Sequence, residues 1–167
     1  PEAKLDKLVA ALAPASPPAE DVALLAELLA LPGSARYPRS SLAPQRKKEK
    51  TFEALLRQLH GLARRQPVLM VFEDAHWSDA SSRELLDLTV GQAASWPVLL
   101  LITFRPEFDP PLIGQPHVTV LTLSRLDRRD GTALVRSVLG DNAVASDLVE
   151  EIVERTDGVP LFIEELT

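Results

Sequence analysis

Three short apolar runs, at residues 68–72, 98–104 and 118–123, constrain this chain more than any other feature. Each is too short for a typical helix and is bounded by polar or Pro-rich sequence, which predicts buried strands. Continuous rather than alternating apolar residues are the pattern of parallel strands covered on both faces. Between the first two runs, residues 81–90 read as a helix offering Leu85, Leu86 and Leu88 to a core, so the pair predicts a βαβ unit. The segment 105–117 holds Pro106, Pro110, Pro111 and Pro116, which predicts an irregular loop.

The flanks read as helical. Leu5, Leu8, Val9 and Leu12 share one helical face, and Val22, Leu25, Leu28 and Leu29 repeat the pattern after Pro17 and Pro18. A longer helix follows Pro44, with Phe52, Leu55, Leu56, Leu59 and Leu62 as its apolar stripe. Its first turns carry Arg46, Lys47, Lys48 and Lys50, against the helix-dipole preference for acids there. With Arg36 and Arg39 they form a basic cluster, read as a solvated face or a contact with an acidic neighbour outside this sequence. Beyond the third run, Asp127 and Ser146 are placed to cap two helices. Gly158 can end the second, and Pro160 can begin a last one. The expected fold is α/β, an incomplete parallel sheet of about three strands with flanking helices and a C-terminal helical segment. Its expected parts are a helical stretch at 1–66, a sheet core at 67–126 and a helical segment at 127–167.

Charge and composition exclude several function classes. The net charge of −6 gives no general electrostatic grip on nucleic acid or on an anionic membrane, so neither partner is expected. No apolar run approaches the roughly 20 residues that cross a bilayer. Without cysteine, thiolate chemistry and disulfides are absent, which fits a reducing compartment; the expected location is cytoplasmic. The start at Pro1 and the apolar helical pattern at the end (Leu161, Phe162, Ile163, Leu166) predict an internal piece of a longer polypeptide.

The first run continues into the segment 68–79, VLMVFEDAHWSD, where an apolar strand ends in two adjacent carboxylates, Glu73 and Asp74. In open α/β sheets ligands bind beyond the carboxyl ends of the strands. Phosphoryl transfer uses such acids, one near Mg²⁺ and one toward the attacking water. The same two residues would also serve a chain merely leaving its core. The second run ends in Thr103 and Arg105, and a guanidinium there could reach a phosphate with its planar donor fork, or simply pair with Glu107 or Asp109.

With His76, Trp77 and Asp79 added, the segment resembles the extended Walker B of STAND-class, AAA+-like P-loop ATPases. The chain looks most like the module that bacterial multidomain proteins place between a class III adenylate/guanylate cyclase domain and tetratricopeptide-like repeats. On that resemblance Glu73 corresponds to the Mg²⁺-associated acid, where the family more often has Asp, and Asp74 to the acid that activates water. The strand ending in Arg105 resembles the sensor 1 strand. Gly158 and Pro160 match the Gly-x-Pro motif that lies near the adenine. The resemblance implies ATP and Mg²⁺ as cofactors of an intact parent protein, and the other domains of that protein as partners. A packing or relay role is expected for His76 and a core anchor for Trp77.

Nowhere does Lys follow Gly in this sequence, so it contains no Walker A loop, whose backbone nest and Lys bind most of the triphosphate charge. The isolated chain is therefore expected to be inactive and to bind ATP poorly. In the family's sheet the Walker A strand lies between the sensor 1 strand and the strand matching 118–123. Its absence predicts either direct pairing of those two or oligomerisation through exposed strand edges. The expected function is a share in a signalling ATPase that uses ATP binding and hydrolysis as a switch. A degenerate nucleotide module acting as a regulatory scaffold, and an unrelated Mg²⁺-dependent hydrolase using Glu73, Asp74 and His76, are the alternatives.

Overall fold

A computed structural model describes residues 2–108, 113–140 and 145–167. The chain divides into two units, residues 1–118 and 119–167.

The first unit begins with helices α1 (Glu2–Leu12) and α2 (Ala19–Leu28), joined by a 3₁₀ turn, and α3 (Pro44–Ala63). Leu5 and Leu12 of α1, residues 22–26 of α2, Tyr37 and Ala54 of α3 are buried, with Leu8, Val9, Leu31 and Leu55 packed around them. The predicted face of α1 is thus the buried one. In α2, Val22 and Leu25 are buried as expected, but Leu28 is 57% exposed and Leu29 also faces outward. The helix ends there, with Ala30 in the left-handed region at φ 53°. The stripe of α3 is only partly buried, and Leu62 is exposed.

The basic start of α3 finds its acids within the chain. Lys47 pairs with Glu27 of α2 at 2.8 Å, Lys48 with Glu84 at 2.7 Å, Arg46 with Glu49 at 2.9 Å and Lys50 with Glu53 at 2.6 Å. Buried Asp21 of α2 pairs with Arg57 of α3, which keeps a carboxylate out of water without leaving it unpartnered.

Strand β1 (Val68–Phe72), helix α4 (Ala80–Ala93) and strand β2 (Val98–Ile102) form the predicted βαβ unit. The strands are parallel, in register from Val68 opposite Val98 to Phe72 opposite Ile102. Helix α4 begins where Asp79 accepts hydrogen bonds from the backbone N–H groups of Ser81 and Ser82, at 2.8 and 3.0 Å. It presents Leu86 and Val90 to Phe72, Leu100, Ile102, Phe104, Phe108 and Val118. Side chains alternate across a strand, so the opposite face carries Leu69, Val71, Leu99 and Leu101, all exposed.

Among the described residues the sheet has two strands where three were expected. Residues 118–123 take no strand conformation, and Leu123 is 94% exposed. An apolar run becomes a strand only when a neighbour completes its backbone hydrogen bonds, and this run has no ladder partner among the described residues. The expected direct pairing with β2 is therefore not seen. Of the predicted loop at 105–117, residues 109–112 lie outside the described residues.

The second unit holds α5 (Arg128–Leu139), α6 (Ser146–Thr156) and α7 (Pro160–Leu166) around Val135, Val149, Ile152, Val153 and Ile163. Asp127 caps α5 as predicted, accepting from Asp130 N–H at 2.8 Å. Ser146 does not cap α6; it is the first helical residue, and Ala145 takes the cap position without a side-chain bond. Among the described residues no helix is long and apolar enough to cross a membrane.

Candidate functional site

The strand ladder continues past the end of β1 and shapes the turn into α4. Thr103 N–H donates to the Phe72 carbonyl at 3.0 Å, and Ala75 N–H donates to the Thr103 carbonyl at 2.9 Å. Between them the Asp74 N–H donates to Thr103 Oγ1 at 3.0 Å. Asp74 adopts φ 53°, ψ 43°, a left-handed conformation that Asp tolerates better than most residues. The chain can then drop Ala75, fully buried, into the core under α4. Glu73 and Asp74 both remain exposed at the carboxyl end of β1.

A 3₁₀ turn, Ala75–Trp77, leads into α4. Trp77 N–H donates to the Asp74 carbonyl at 2.9 Å, and Arg83 of α4 donates through Nε to the Ser78 carbonyl at 3.0 Å. The His76 ring nitrogens are buried without a hydrogen-bond partner, and the ring tilts against Trp77 at 5.0 Å between centroids.

Trp77 does not anchor the turn in the core as expected; it is 73% exposed. The small Ala75 occupies the buried position, and the indole lies outside, with the Arg105 guanidinium 5.5 Å from its ring centroid. Arg105 itself begins a turn closed by Phe108 N–H to the Arg105 carbonyl at 2.9 Å. Phe108 packs edge-on against Phe104 and carries Arg83 above its ring. Neither Glu107 nor any other described carboxylate forms an ion pair with Arg105; Asp109, the other predicted partner, lies outside the described residues.

Glu73, Asp74 and Arg105 therefore sit on two adjacent loops at the carboxyl end of one parallel pair, cross-linked through Thr103 and through Trp77. Thr103, marked in the sequence only as a strand-terminal residue, is the participant whose role was not foreseen. A hydroxyl residue directly after an apolar strand was the available signal. Asp79 is committed elsewhere: its bonds to Ser82 and Ser81 hold its carboxyl below the usual range and spend it on capping α4. Among the described residues no group of three or more His, Asp or Glu side chains could ligate a metal by itself. Mg²⁺ needs no such cage, since one or two carboxylates with phosphate oxygens and waters suffice. Glu73 and Asp74 fit that requirement.

Gly158 and Pro160 lie in the second unit, at the joint between α6 and α7. Gly158 is buried at φ 70°, its carbonyl accepts from Leu126 N–H at 2.8 Å, and a Cβ there would collide with the Leu126 carbonyl. Glycine is thus required for local packing. Pro160 opens α7, where its missing N–H costs nothing.

Two comparisons bear on this arrangement. Residues 2–102 match the family model described as the AAA ATPase domain. An uncharacterized protein of Rhizobium meliloti (strain 1021) is 35% identical over 130 residues, which is 77% of this chain and 13% of that protein. The chain thus spans only a small part of the relative's length. No solved structure matches significantly.

Proposed function

The chain belongs to the AAA ATPase domain family, and we propose that it supplies the acid and sensor side of an ATP-hydrolysing site in a STAND-class signalling ATPase. The observation that carries this reading is the pairing of two loops. Glu73 and Asp74 stand exposed after β1, and Thr103 and Arg105 hold the neighbouring position after β2.

Glu73 and Asp74 share the work of a phosphoryl-transfer site: Glu73 is the Mg²⁺ ligand and Asp74 orients the attacking water. When bound, Mg²⁺ offsets the charge on the triphosphate. Arg105 directs its donor fork to the γ-phosphate, and Gly158 with Pro160 belongs to the adenine side. The backbone nest and Lys that grip the phosphates come from residues outside this sequence, because no Gly-Lys pair occurs in it. In this proposal the module works in the cytoplasm as a switch for other domains of a longer polypeptide, such as the nucleotide cyclase that the resemblance implies.

Calorimetry of the chain with Mg·ATP is expected to show no micromolar affinity, and such affinity would overturn the half-site. In the longer polypeptide, Asp74→Asn is expected to lower kcat by about 10²-fold or more, the order seen when a positioned base is lost. Undiminished turnover would remove Asp74 from the mechanism.

A second reading has its own support. The bare apolar face of Leu69, Val71, Leu99 and Leu101 and the outer edges of the two strands, unpaired among the described residues, suit a protein-binding scaffold or self-association. A longer polypeptide that binds partners while hydrolysing no ATP would favour it.

A further inference from the structure

The guanidinium of Arg105 rests on an exposed indole and on no described carboxylate, and this points to a role for Trp77 that packing does not explain. A core tryptophan is buried, whereas this one is 73% exposed. Its position is nevertheless set from three sides. Its N–H is bonded to the Asp74 carbonyl, its ring lies against His76, and the next residue's carbonyl is held by Arg83. Arg105 is held at its backbone by the turn closed on Phe108. Between two fixed backbones, the ring and the guanidinium are the free ends that meet.

We infer that Trp77 is the positioning residue for Arg105, an aromatic rest that holds the guanidinium beside the acid-bearing loop with its N–H donors uncommitted. The alternative for an exposed arginine near Glu73, Asp74 and Glu107 is an ion pair. A phosphate oxygen would then have to displace a carboxylate before it could be bound. A cation–π contact places no carboxylate on the guanidinium, so its donors remain available to an incoming phosphate oxygen. The same contact ties the loop after β2 to the loop after β1, so movement of Arg105 is felt at the turn that begins at Asp74.

This inference rests on the ATPase reading for its catalytic consequence but not for the contact itself, and the test separates the two. In the chain without nucleotide, the side-chain protons of Arg105 are expected to show upfield ring-current shifts in the NMR spectrum. Trp77→Leu should return them to ordinary values, and Trp77→Phe should keep part of the shift. An Arg105 signal unmoved by Trp77→Leu would overturn the inference. Because the ring is exposed, both variants should fold, which amide spectra verify. In the longer polypeptide Trp77→Leu is expected to lower kcat about two- to five-fold, the value of an exposed cation–π contact, with Trp77→Phe recovering much of it. Equal kcat in all three would overturn the catalytic consequence. A polypeptide that binds no ATP would instead sink the ATPase reading and leave the spectroscopic result to decide the role of Trp77.

Discussion

Helices α1 to α3 bury much of their apolar surface on one another, whereas the two-stranded sheet covers only one of its faces. In the helical region, Leu5, Leu12, Val22, Leu25, Tyr37 and Ala54 form a shared interior. In the sheet, α4 covers one face while Leu69 and Leu99 on the other are 64% and 69% exposed. The difference follows from how each element satisfies itself. A helix completes its hydrogen bonds internally and needs cover along one stripe, so three helices can finish the job together. A strand needs a neighbour on each edge and cover on each face. The helical region shares one interior, with Leu28, Leu29 and Leu62 left outside it, and the sheet leaves one whole face bare.

That contrast can be broken most directly by truncating one leucine in each region. Leu25→Ala is expected to cost about 2–5 kcal/mol in urea denaturation, because it opens a cavity in a closed interior. Leu99→Ala on the bare face should stay within about 0.5 kcal/mol. If the two cost the same, the outer face is covered in solution and the contrast fails.

Two glycines sharpen it further. A Cβ at Gly61 of α3 would lie 2.8 Å from the Ala15 Cα, whereas one at Gly91 of α4 meets nothing within 4 Å. Gly61→Ala is expected to destabilise by about 1–3 kcal/mol through overpacking. Gly91→Ala should stabilise by about 0.4–1 kcal/mol, since it restricts the unfolded chain without a clash. Thermal melts that show a gain at Gly61 would mean that α3 is not seated as described.

The smallest expected effect is electrostatic. Glu27 ties α2 to α3, and its hydrogen bonds from Lys47 and from Ser40 N–H hold its carboxyl below its ordinary value of 4.5. A depressed carboxylate contributes stability that is full above the unfolded pKa and is lost as pH falls through the folded one. Glu27→Gln should therefore lower stability at neutral pH and flatten its decline below about pH 4.5. An unchanged acid profile would show that this pair contributes nothing to holding the helices together.

Much of this architecture was legible in the sequence. The face of α1, the βαβ unit and the Asp127 cap all express the spacing of side chains along a few turns, which is local information. Glu73, Asp74 and Arg105 were recognisable because polar residues ending apolar strands mark the carboxyl edge of a sheet. The misreadings involved partners distant in sequence. The run at 118–123 was apolar enough for a strand but pairs with no strand among the described residues. The basic start of α3 looked uncompensated until Glu27 and Glu84 were brought beside it.

Sequence by itself therefore marked the helices, the βαβ unit, the resemblance to an ATPase family and the polar residues that end the two strands, because periodicity, motif and residue type are properties of the chain alone. Tertiary structure decided that Trp77 lies outside rather than in the core, that Thr103 holds Asp74, and that Arg105 rests on an indole and on no described acid. Those outcomes depend on which groups from separate loops arrive within a few ångströms of one another, and no spacing along the chain records that distance.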